Sequence, residues 1–136
     1  MSKSNMLTLY EAKKLPTLHP VTLDALNLFI QRVIEQEGEN LKKIVLFGSV
    51  ARGEENKDSD IDVLVILKEM TMDDFTMVSN ISADVSWDME YDENSYIQAM
   101  TVSEEETGGF SYWGLMQNIS RDGVILYDAG KYHCHD

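Results

Sequence analysis

The chain has 136 residues, 43% hydrophobic and 26% charged, a size and balance suited to one domain. Its formal net charge of −13 disfavours a DNA or RNA acceptor, because most of the surface would repel a phosphate backbone. No apolar stretch approaches the roughly 20 residues of a membrane span, no secretory leader is expected after Met1, and the single Cys134 forms no internal disulfide, so a reducing cytoplasm is expected.

Residues 1–19 read as a lead-in segment, residues 20–128 as the domain and residues 129–136 as a tail. A helix is predicted from about Val21 to Glu37: Leu23, Leu26, Phe29, Ile30, Val33 and Ile34 fall on one face, Thr22 is placed to cap its start and Gly38 to end it. The run Ile44–Phe47 predicts a buried strand broken by Gly48 and Ser49, and Asp60–Ile66 predicts a second. A second amphipathic helix is predicted from Asp73 to Met89, striped by Phe75, Val78, Ile81, Val85 and Met89. A third strand is expected between Asn94 and Val102, and Ser103 to Glu106 has the spacing of a capping box. Tyr112, Trp113, Leu115, Met116 and Ile119 suggest a last helix, stopped by Gly123 before a short strand at Val124–Tyr127. Strands alternating with helices imply an α+β (mixed α/β) fold, a small mixed sheet with helices packed on one side.

Two features carry chemistry. Gly48 and Ser49 follow a buried strand. If Ser49 opens a short helix through Arg52, the turn suits phosphate, because leading helical N–H groups lack intrahelical acceptors and Gly48 lets the backbone come close. Asp60 and Asp62 lie two apart on a strand, so both carboxylates project from the same face. Their repulsion would be relieved by divalent cations, and hard oxygen ligands suit Mg²⁺. Each feature alone also fits a plain structural role, a Gly-Ser turn and a pair of exposed strand-end acids.

Taken together, Gly48-Ser49, ten intervening residues and Asp60-Ile61-Asp62 resemble the signature of the nucleotidyltransferase superfamily that shares its fold with DNA polymerase β. Phe47-Gly-Ser-Val-Ala-Arg-Gly53 and Asp58-Ser-Asp-Ile-Asp62 are similar to the minimal nucleotidyltransferases of bacteria and archaea, and the likeness runs in order across roughly residues 20–128. The resemblance implies transfer of a nucleoside monophosphate, AMP from ATP, onto an acceptor hydroxyl, with two Mg²⁺ ions on Asp60 and Asp62. It implies that Gly48 and Ser49 hold the β and γ phosphates. Arg52 would pair either with a phosphate or with one of the local acids Glu54, Glu55 and Asp58. The family completes its metal site with a third carboxylate on the next strand. Here Asp92 is the favoured candidate, although Asn94 lies nearer the expected place and would be a poorer ligand.

Other residues read more plainly. His133-Cys134-His135-Asp136 holds metal-ligand types at a chain end, where order is poor. Trp87, Tyr96, Tyr112 and Trp113 could stack on a base but are read as core residues. Minimal nucleotidyltransferases often pair with a small helical protein of the HEPN ribonuclease class as antitoxin and toxin. The resemblance therefore implies a protein acceptor, with the acceptor site shared with that partner or with another copy of the chain. The alternatives are transfer to a small molecule such as an aminoglycoside, or a binding module that kept the fold and lost activity.

Overall fold

The computed structural model describes residues 18–54 and 60–132, the side chains of Phe110, Lys131 and Tyr132 excepted. Helix α1 (Pro20–Glu37) leads through a 3-10 turn at Gly38–Asn40 into strand β1 (Leu41–Phe47). A single helical turn, α2 (Gly48–Ala51), follows at once. Then come β2 (Ile61–Leu67), α3 (Met72–Asp88), β3 (Ile97–Ser103) and the turn α4 (Glu104–Thr107). The 3-10 turn Phe110–Tyr112, α5 (Trp113–Asp122), β4 (Val124–Asp128) and the turn α6 (Ala129–Tyr132) complete the described chain.

The four strands lie in the order β3-β2-β1-β4. β1 is antiparallel to both β2 and β4, whereas β2 and β3 are parallel and joined by the α3 crossover, as a parallel pair requires. Alternation along the strands divides the core. Ile44 and Leu46 of β1, with Ile61, Val63, Val65 and Leu67 of β2, face α1 and α3, which contribute Leu26, Phe29, Val33, Val78, Ile81 and Val85. On the opposite face Val45, Leu64, Ile66 and Val102 are covered by Tyr112, Leu115, Met116 and Ile119, so the two long helices share one side and the shorter α5 caps the other. With both faces covered, β2 is apolar almost throughout, and Asp62 interrupts it.

Several local expectations change in the structure. The cap of α1 is His19, whose Nδ1 accepts from the Val21 N–H at 3.1 Å, with Pro20 as the first helical residue. Thr22 is buried instead, and its hydroxyl donates to the Asn94 carbonyl at 2.9 Å. Gly38 ends α1 at φ 55°. The box at Ser103 forms as expected: the Ser103 Oγ accepts from the Glu106 N–H, and the Glu106 carboxylate from the Ser103 N–H. Trp87 and Trp113 are not core residues: they are 68% and 62% exposed, while Tyr96 is exposed and Tyr112 packs half-buried against the second cluster. Phe75 leaves the α3 stripe for the surface. No helix among the described residues is long and apolar enough to cross a membrane.

Candidate active site

The end of β1 and the start of β2 bring the two sequence motifs together. Gly48 has φ 80°, in the left-handed region that favours glycine. A Cβ there would overlap the Asp62 Oδ2 and lie 3.2 Å from the Asp62 Cβ and Cγ, so the missing side chain is what lets the turn and this carboxylate meet. The α2 turn closes through N–H donations from Arg52 to the Gly48 and Ser49 carbonyls, and the Ser49 carbonyl also accepts from Glu54 at 2.8 Å. Ser49 sits half-buried beside Gly48, in the turn that faces Asp62.

Asp60 is exposed just before β2, and Asp62 is half-buried within it on the face of Leu64 and Ile66. Burial raises the Asp62 carboxyl above its ordinary value, the neighbouring Asp60 charge raises it further, and the Arg52 guanidinium pulls it back. Arg52 is therefore close enough to act on Asp62, while its own Nε donates to the Glu54 Oε1 at 3.1 Å. Of the local acids considered for Arg52, Glu54 is thus the observed partner. Glu55 and Asp58 lie outside the described residues, as does the His133–Asp136 tail.

The side chain of Asp62 opens onto a cavity of about 480 Å³ lined also by Phe47, Phe75, Gln98, Met100 and Tyr112. Across the sheet Asp62 stands opposite Phe47 of β1 and Gln98 of β3. Asp92 is not brought into this group. It lies in the α3–β3 turn, where its Oδ1 accepts from the Asn94 N–H at 2.8 Å and from the Asn94 amide at 3.2 Å. Asn94 in turn is tied to α1 through Thr22. Among the described residues no three His, Cys, Asp or Glu side chains are placed to share a metal ion. Phe47, Phe75 and Gln98 were not foreseen as site residues. Gln98 could have been found from strand pairing, but only with the register in hand.

A nucleotidyltransferase domain model matches residues 26–115, a span holding both motifs and the cavity. The chain belongs to this nucleotidyltransferase family. A relative from Methanocaldococcus jannaschii, named for protein adenylyltransferase activity, is 30% identical over 103 residues, covering 76% of this chain and 95% of its own. Family and relative together make the protein a nucleotidyltransferase. Among solved structures, a toxin–antitoxin crystallised with AMP-PNP superposes with TM-score 0.54 at 18% identity, over 76% of this chain and 74% of its own. A mutant of the toxin–antitoxin MntA-HpeT gives TM-score 0.51 at 16% identity, over 76% and 73%. These two likenesses concern the fold, which is the nucleotidyltransferase fold.

Proposed function

We propose that this nucleotidyltransferase moves AMP from ATP onto a hydroxyl of a protein partner, and that it acts as the antitoxin of a pair whose toxin is of the HEPN class. The observation that carries the reading is the contact between Gly48 and Asp62, which sets a phosphate-suited turn against a carboxylate at the mouth of an open cavity. The name of the M. jannaschii relative supports a protein acceptor. So does the cavity wall: Phe47, Phe75, Met100 and Tyr112 offer apolar and aromatic surface that suits a side chain delivered by another protein.

The donor set fits a hard divalent cation, since the Asp60 charge acts on the Asp62 carboxyl and their mutual repulsion disfavours leaving them unpaired. Mg²⁺, when bound, would neutralise phosphate charge and favour ionisation of the acceptor hydroxyl. Gly48 and Ser49 would seat the β and γ phosphates. Arg52, freed from Glu54, would add a guanidinium to them. Catalysis on this plan is positioning and charge, with the reacting oxygen held in line by the cavity walls. A cytoplasmic setting agrees with the single cysteine.

The test is transfer of label from ATP radiolabelled at the α-phosphate, with Mg²⁺, onto the protein encoded beside this one. Label on that partner with the native chain, and none with Asp62→Asn, is the expected result. Label on an added aminoglycoside but not on the partner would replace the protein acceptor with a small one. Partner binding by both variants without label on anything would overturn the transfer.

A further inference from the structure

The sheet fixes the surroundings of Asp62 on three sides, and Asp60, just before β2, acts on it by charge from the fourth. Along β2, on the same face, its neighbour is the fully buried Leu64. Across the sheet its partners are Phe47 on β1 and Gln98 on β3. Phe47 and Gln98 line the same cavity as Asp62. The adjoining strands thus offer Asp62 one aromatic ring and one neutral amide, and no carboxylate. The Asp92 carboxylate is engaged by Asn94, whose carbonyl accepts from Thr22, and among the described residues no third acid joins Asp60 and Asp62.

Charge then limits what the site can hold. Two carboxylates balance one divalent cation in full. A pair of such ions about 3.5–4 Å apart repel strongly and, besides the oxygens of the triphosphate, need a further anionic protein ligand to hold the second ion. An amide oxygen is an acceptable ligand for a hard cation but brings no charge. We propose that Asp60, Asp62 and Gln98 form a one-ion site, and that Gln98 is the residue restricting it to a single divalent cation. This departs from the pair of ions that the family resemblance implies, and it rests on the metal-dependent reading above. The second charge needed at the acceptor oxygen must then come from elsewhere, from the partner that delivers the hydroxyl.

The experiment is equilibrium dialysis of the full chain against Mn²⁺ with a non-hydrolysable ATP analogue on both sides, counting excess Mn²⁺ per chain. Native protein, Gln98→Glu and Asp62→Asn are compared. Gln98 is exposed on an edge strand, so a glutamate of the same length is accommodated there, and a thermal melt of each variant verifies the fold. One ion for the native chain and two for Gln98→Glu is the expected result. Two ions in the native chain would overturn the one-ion site while leaving the metal-dependent reading intact. One ion in both would overturn the role of Gln98. No excess Mn²⁺ in the native chain, matching Asp62→Asn, would remove the metal reading and this inference with it.

Discussion

Gly48 and Asp62 share one small volume, and that sharing makes both residues sensitive to the smallest changes. Gly48→Ala asks an L-residue to hold φ 80° and places a methyl against the Asp62 carboxylate. The backbone strain alone costs about 1–2 kcal/mol, and the overlap displaces Asp62 or the turn. Chemical denaturation should show the loss of stability, and binding of an ATP analogue should fall with it. Asp62→Asn should act in two opposite directions. Burial and the Asp60 charge hold the Asp62 carboxyl above its ordinary value, so the folded chain binds that proton more tightly than the unfolded chain. The corresponding stability is present below the unfolded value and is lost as pH rises through the raised folded one. At neutral pH the ionised Asp62 is therefore a burden on the metal-free fold. The asparagine variant should melt higher than the metal-free native chain, yet gain nothing from Mg²⁺ and nucleotide. The native chain should gain about 2.7 kcal/mol at ligand a hundredfold above Kd. A melting series with and without ligand reads both effects. The sequence made Gly48, Asp60 and Asp62 legible because their meaning is local: a strand end, a left-handed turn and a two-residue alternation. Gln98 was hidden because its place beside Asp62 depends on the register of β3, and that register is set by a turn in which Glu90 and Tyr91 both take φ 58°.

The elements follow the apolar periodicity closely where one face is buried, and depart from it where charge or aromatic residues confuse the pattern. β1 begins at Leu41, three residues before the apolar run, because Lys42 and Lys43 are half-buried strand residues despite their charge. Periodicity alone could not show that Trp87 and Trp113 stand outside the core, since a helix stripe does not say where its neighbouring elements end. The junction between α1 and α3 was also invisible, because its partners lie far apart in sequence. There Glu37, near the end of α1, meets Asp74, in the first turn of α3. The Glu37 Oε1 accepts from Asn40, while its buried Oε2 has no partner unless it carries a proton to give to Asp74. Burial and Asp74 raise Glu37, with Asn40 opposing. Asp74 is lowered, its burial outweighed by donors on Thr71 and by Glu37. Stability from Glu37 is present below its ordinary value of 4.5 and lost as pH rises through its raised folded value. The Asp74 contribution has the opposite sign, being lost only as pH falls through its lowered value. Glu37→Gln keeps the acceptor for Asn40 and supplies a permanent donor to Asp74. Its melting temperature should exceed that of the native chain at neutral pH, and the difference should close as pH falls toward 4.5.

Across the whole molecule the charge is laid out along the strands. Asp60, Asp62 and Arg52 stand where β1 ends and β2 begins. Lys42, Lys43 and Lys68 stand at the other end, where Leu41 pairs with Leu67, and Lys42 lines clefts there with Glu39, Lys68, Glu104 and Asp128. Lys68, just beyond the far end of β2, is separated from Asp62 by about 20 Å of strand, more than two Debye lengths of about 8 Å at physiological salt. In a chain of net charge −13, an anionic nucleotide approaches against the overall field, so local cations decide whether it is held. Arg52 already acts on the Asp62 carboxyl, whereas Lys68 is screened from it. Arg52→Gln should therefore weaken binding of an ATP analogue about tenfold, the worth of one charged hydrogen bond, and Lys68→Gln should leave it within about twofold. Titration calorimetry at physiological salt measures both. Equal losses from the two variants would mean that nucleotide feels the net charge of the molecule and not a local phosphate site, and Arg52 would then be only the clamp on Glu54 that the structure shows.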